Sequence, residues 1–150
     1  MLRETIKSAQ ISAMKAGEKD RLAAVRLILA KIKDRDIELR TGTAPENDDT
    51  LVIDVLQKMA KQRRESIQMY EQGGRQELAD QEKAELAVIE EFLPAQMSDD
   101  EIGTAIAAIK AELGAETIKD MGKVMAELKS RHGTEMDMSK ASGLVKASFA

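Results

Sequence analysis

The stretch Glu91-Phe92-Leu93-Pro94-Ala95-Gln96-Met97-Ser98-Asp99-Asp100-Glu101 divides this chain. Pro94 has no backbone N–H for a continuing helix, and its ring disfavours the helical conformation at Leu93. Ser98-Asp99-Asp100-Glu101 has the form of a capping box. In such a box the serine hydroxyl accepts from the amide three residues on, and the glutamate carboxylate reaches back to the serine amide. One helix is therefore expected to stop at about Leu93 and another to start at Ser98. The predicted organisation is an N-terminal helical domain, residues 1–94, and a small C-terminal three-helix domain, residues 95–150.

Upstream of the break the pattern is helical throughout. Leu2, Ile6, Ala9 and Ala13 share one face, and Gly17 is a plausible stop. Asp20 is the expected cap of a second helix running to about Arg40, with Leu22, Val25, Ile28, Leu29 and Ile32 as its apolar stripe. Residues 41–49, with Gly42, Pro45 and Asn47, carry turn chemistry. A third helix is expected from Asp49 or Thr50 through Tyr70, basic in its middle at Lys58, Lys61, Arg63 and Arg64. Gly73-Gly74 ends it. A fourth, Arg75 to Leu93, turns Leu78, Leu86, Ile89 and Leu93 inward and carries acids at Glu77, Asp80, Glu82, Glu85, Glu90 and Glu91. A basic helix joined to an acidic one by two glycines predicts an antiparallel hairpin with crossing ion pairs.

Downstream, Ile102, Ile106, Ile109 and Leu113 form a stripe closed by Gly114. Thr117 with Asp120 is a second capping signal, followed by Ile118, Met121, Val124, Met125 and Leu128 up to Gly133. A last helix, Met138 to Ser148, presents Ala141, Leu144 and Val145. No segment alternates as a half-buried strand does. The fold class read from these patterns is all-α.

Composition narrows the function classes. The only aromatics are Tyr70, Phe92 and Phe149, so the core is aliphatic, with nine methionines available to fill irregular gaps. A Met-rich partner groove is the sharper reading of those methionines; core filling is the commoner role. The absence of cysteine excludes disulfides, thiolate nucleophiles and Cys-ligated metals. No apolar run approaches the roughly 20 residues that span a bilayer. A soluble, cytoplasmic protein without membrane partners is expected. The net charge of −4 argues against general nucleic-acid binding, but residues 1–40 carry a local excess of Lys and Arg.

The catalytic inventory is thin. The single histidine, His132, precedes Gly133 at an expected helix end, where an imidazole suits the helix dipole. One histidine makes no metal pair, and Gly122-Lys123-Val124 is not a phosphate-binding loop. No catalytic residue, metal or cofactor is assigned. Single-strand recognition by stacking lacks its aromatic platforms, so any RNA contact would use Lys and Arg on backbone and shape. Gly122 stands in mid-stripe, where glycine costs roughly 1 kcal/mol against alanine. Its expected role is close approach of another backbone, either a neighbouring helix or a sugar-phosphate chain.

The run Lys61-Gln62-Arg63-Arg64-Glu65-Ser66-Ile67 through Tyr70, then Gly74-Arg75-Gln76-Glu77-Leu78-Ala79, Glu82, Glu85-Leu86, Phe92 through Ile102, and Asp120-Met121-Gly122-Lys123-Val124-Met125 closely resembles the YqeY protein family. The resemblance covers essentially the whole chain. Residues 95–148 also resemble the tail domain of the GatB subunit of the aminoacyl-tRNA amidotransferase, a helical module that helps hold tRNA. This likeness implies a non-catalytic module that binds tRNA or associates with a protein partner in tRNA-dependent amidation. Candidate RNA contacts are Lys119 and Lys123, four apart on one face, with Lys129 and Arg131 at that helix's end and Arg63 and Arg64 on the hairpin. For Lys129 and Arg131 the competing role is dipole compensation; for Arg63 and Arg64 it is pairing with the acidic fourth helix. Two rival functions stand beside this one. The first is a protein-interaction adaptor using an exposed apolar groove between the two parts, without RNA. The second is the glutamine-dependent carbon–nitrogen ligase activity that the family's label implies.

Overall fold

The computed structural model describes residues 1–43 and 47–150, so the expected turn residue Pro45 lies outside the described part. The described residues form seven α-helices and two short 3-10 turns, with no strand among them, an all-α fold. The chain divides into two compact units, Met1–Leu93 and Pro94–Ala150. At the division Leu93 is extended, with φ −80° and ψ 145°, as the residue before proline must be.

The N-terminal unit holds α1 (Leu2–Ala16), α2 (Lys19–Glu38), α3 (Asp48–Gln72) and α4 (Gln76–Phe92). α1 ends on Gly17 in the left-handed conformation, φ 71°, where the Glu18 amide returns to the Ala13 carbonyl. Asp20 does not cap α2. That helix starts two residues earlier, at Lys19 behind Glu18, and Asp20 lies in its first turn, where its charge favours the dipole. α2 closes at Glu38 and tightens into a 3-10 turn, Leu39–Thr41. α3 likewise starts earlier than its apolar pattern suggests, because Asn47 accepts from the Asp49 amide at 2.8 Å and caps it. The core gathers Ile6, Val25, Ile28 and Ile32 with Val52, Leu56, Met59 and Ile89. Arg3 ties three helices together at its rim: its guanidinium reaches Asp36 on α2 and Asp48 on α3, each at 2.8 Å.

α3 and α4 form the expected hairpin. Gly74 turns it with φ 71°, and the Arg75 amide donates to Tyr70. Glu71 pairs with Lys83, Arg63 with Glu82 and Glu85, and Arg64 with Glu90. The Glu71–Lys83 pair lies near the glycine turn and the Arg64–Glu90 pair farther from it on both helices, so the helices are antiparallel. Leu78 does not turn inward. It is 36% exposed, because it lies past the core layers that Met59 and Ile89 share with α1 and α2.

The C-terminal unit holds α5 (Asp99–Leu113), α6 (Met121–His132) and α7 (Met138–Ser148). Ser98 Oγ accepts from the Glu101 amide at 3.2 Å, and Glu101 turns back toward the Ser98 amide, so the capping box forms. Ile102, Ile106, Ile109, Val124, Leu128, Met136, Ala141 and Val145 make the core. Two residues of the expected stripes are outside it. Leu113 ends α5 and is 44% exposed. Ile118 is 50% exposed, because Asp120 accepts from the Glu116 and Thr117 amides and winds Ile118–Asp120 into a 3-10 turn. Three residues per turn rotate Ile118 off the face that α-helical spacing assigns it. His132 closes α6, its Nδ1 3.1 Å from Glu135.

Gly133 follows with φ −59°, so its need for glycine is steric rather than left-handed: a Cβ there would stand 2.5 Å from the Lys129 carbonyl oxygen. Gly133→Ala is expected to cost about 1–3 kcal/mol in denaturant unfolding, the range for forcing a methyl into filled space. Gly103→Ala, where a Cβ meets nothing within 4 Å, should be neutral or stabilising. Arg3 holds the Asp48 carboxyl below the usual carboxylate range. The stabilising carboxylate is thus fully present above the unfolded value, about 3.9, and is lost as pH falls through the lower folded value. The stability difference between the wild type and Asp48→Asn should therefore be constant near neutral pH and shrink below about pH 4, as read by urea unfolding across pH.

Candidate nucleic-acid interface

α6 is amphipathic in an unusual way. Val124 and Leu128 are buried, and Met121 and Met125 are half-buried beside them. The opposite side exposes Gly122, Lys123, Ala126, Lys129 and Ser130, and Lys119 is exposed in the 3-10 turn before the helix. Lys123 and Lys129 are separated by about 9 Å of helix rise. Between the lysines stand only side chains smaller than a valine. The side chains of Lys119, Lys123 and Lys129 have no ion-pair or hydrogen-bond partner among the described residues.

The other candidates are engaged within the chain. Arg131 Nε donates to Glu127 at 2.7 Å, and Nη2 donates to Glu112 on α5. Glu112 first, then Glu127, raises the arginine's pKa, and the arginine in turn lowers that of Glu112. Arg131 thereby fastens α6 to α5, a role stronger than compensation of the helix dipole alone. Lys110 and Lys140 are engaged as well: Lys110 donates to the Ser148 carbonyl and sits 4.1 Å over the Phe149 ring, and Lys140 pairs with Asp99.

Arg63 and Arg64 lie on the hairpin of the N-terminal unit. Arg63 is only 16% exposed, with Nε 2.9 Å from Glu85 and 3.1 Å from Glu82. These are close ion pairs whose N–H is not well aligned for hydrogen bonding. Arg64 is half-exposed, 3.6 Å from Glu90. Both arginines take the hairpin-pairing role.

Gly122 departs from one half of its expectation. No neighbouring helix packs on it: it is exposed, and a Cβ there would meet no atom within 4 Å. Ala126 and Ser130, at four-residue steps from Gly122, complete the small-residue face, and that spacing was visible in the sequence once Gly122 was singled out. Among the described residues no group of three or more His, Asp or Glu side chains is placed to hold a metal ion, and no helix is long and apolar enough to cross a membrane.

Similar proteins bear on the same chain. Uncharacterized protein C22F3.15 of Schizosaccharomyces pombe is 26% identical over 98 residues, which cover 65% of this chain and 76% of that protein. Altered inheritance of mitochondria protein 41, mitochondrial, of Eremothecium gossypii is 28% identical over 121 residues, 81% of this chain. This chain spans 57% of that protein's length. The family model for Yqey-like proteins matches residues 3–149, and the chain belongs to that family.

Proposed function

We propose that this protein is a non-catalytic RNA-binding module, working on tRNA or alongside tRNA-dependent amidation, and that the exposed face of α6 is its contact surface. The observation that carries this reading is the set of three exposed lysines, Lys119, Lys123 and Lys129, on α6 and the turn before it, whose side chains meet no internal acceptor among the described residues. Arg131, Lys110 and Lys140 of the same unit are held by internal acceptors, whereas Lys146 on α7 is exposed. Phosphates are the natural partners of such lysines, because each contact releases condensed counterions. The GatB-tail likeness of residues 95–148 supports tRNA as the ligand, and a cytoplasmic location belongs to the same reading. Arg63, Arg64 and Arg131 would act indirectly, by holding the helices that they pair.

One observation favours the adaptor reading instead. Gly103, Ile106, Ala107 and Leu144 line an open groove between α5 and α7 that a partner helix could enter. The ligase reading asks for glutamine hydrolysis by the pure chain, which is a direct assay.

Titration of the purified protein with total tRNA tests the proposal. Three phosphate contacts predict that affinity falls about 20- to 40-fold between 50 and 200 mM salt. Lys119→Glu with Lys123→Glu should remove most of the binding and flatten the salt dependence, with the circular dichroism spectrum unchanged. Undetectable binding at low salt, or binding indifferent to the double reversal, would sink the RNA assignment to this face.

A further inference from the structure

The seam between α3 and α4 is apolar on both sides of one charged layer. On α3, Arg63 lies between Met59 and Ile67, which are buried; on α4, Glu82 and Glu85 lie between Ala79 and Ile89, which are buried as well. The guanidinium Nε stands 3.1 Å from Glu82 and 2.9 Å from Glu85, and no side chain of the trio is more than 27% exposed. Two carboxylates thus share one guanidinium, and Arg63 Nε and Glu82 Oε2 are buried without an aligned hydrogen bond. Such a layer is costly. Taking charges out of water costs more than imperfect pairing returns, and apolar side chains of similar volume commonly hold a fold as well or better. Stability alone does not account for it.

We propose that this layer is the register lock of the hairpin. Away from it the seam repeats itself: Ala79, Glu82, Leu86, Ile89 and Leu93 are spaced three and four apart, as are Leu56, Ala60, Arg63 and Ile67 on α3. Aliphatic side chains at that spacing pack in several alignments, and a single polar position is what selects one of them. The two glycines of the turn tolerate the backbone changes a slide needs. Arg63 does not tolerate the slide. A shift of four residues along α4 sets its guanidinium against Leu86 and Ile89 in one direction, or Leu78 and Gln81 in the other. A shift of seven sets it against Ile89 and Phe92, or Arg75 and Leu78. A shift of three keeps one carboxylate, strands the other, and turns the apolar stripe of α4 by roughly 60°. The native alignment gives the guanidinium both carboxylates. Every other alignment leaves an enclosed charge unpaired, which is the costly state of such a group.

Distance measurement between two spin labels tests this on the full chain. It contains no cysteine, so Gln68→Cys on α3 and Ala87→Cys on α4, both exposed, take nitroxides uniquely. The otherwise unchanged protein should show one distance. Replacing the trio by Arg63→Met, Glu82→Leu and Glu85→Met should leave the urea midpoint at or above that of the wild type. A second distance should then appear, from a slide of about 6 Å for four residues or about 10 Å for seven. Reversing every sign, with Arg63→Glu, Glu82→Arg and Glu85→Lys, should restore the single distance. A lone native distance in the apolar variant overturns the lock and assigns the register to the turn and Phe92. A midpoint below that of the wild type in the apolar variant overturns the claim that the layer costs stability. A second distance in the sign-reversed protein overturns charge pairing as the selecting force.

Discussion

Pro94 imposes the constraint on which the architecture rests. It supplies no amide to a helical ladder and holds Leu93 extended, so the helical hydrogen bonding of α4 cannot pass it. Each side has an apolar cluster of its own. The N-terminal unit builds its own with four helices and a core of Ile, Val, Leu and Met, clasped at one edge by the fork of Arg3. The C-terminal unit has 57 residues between Pro94 and Ala150, near the lower limit at which a core sustains itself. Its stability leans on local chemistry: the Ser98 box, the left-handed Gly114, the Asp120 turn and the Asp137 cap each satisfy amides or carbonyls that a helix end leaves open.

Much of this was legible. The break, the hairpin and every helix show in the 3.6-residue spacing of aliphatic residues, because a chain with almost no aromatics and no β-alternation leaves that period undisturbed. What spacing missed has physical causes. Asn47 captures an amide just ahead of the apolar pattern and so lengthens α3. Ile118 falls in a 3-10 turn, whose period differs from that of the helix it precedes. Leu78 keeps the right phase but sits where the hairpin has outrun its shared core. Met136, fully buried in a connection between helices, has no periodic neighbours to announce it. Here methionine fills a gap, as do Met59 in the other core and the half-buried Met121 and Met125.

The site was legible in a different measure. The lysines could be named from four-residue spacing, but spacing cannot say which cations are already engaged. Arg131 belongs to the same helix end as Lys129, and only packing shows that α5 brings Glu112 to it. Arg63 lies in a sequence as basic as any in the chain, yet it is the most enclosed of the hairpin's cross-paired charges. The glycine was conspicuous in the sequence for its helix cost, while its emptiness became visible only with the neighbouring helices in place.

Net charge is a poor guide for such a surface. The chain carries −4 overall, which would repel a polyanion if its acids were freely displayed. Near α6 most are engaged, with Glu116 the exposed exception. Asp120 is turned back onto two amides, Glu112 and Glu127 are bound to Arg131, and Asp99 is bound to Lys140. Screening confines the field of exposed charges to about 8 Å at physiological ionic strength. A phosphate at Lys123 therefore responds mainly to Lys119, Lys129 and the acids nearest them, Asp120 and Glu127, of which Glu127 shares Arg131 with Glu112. The internal pairs, which contribute little to stability as exposed contacts, have a second consequence: residues 112–132 balance four Lys and Arg against four Asp and Glu, and within that balance the lysine side chains are the cations that no acid holds.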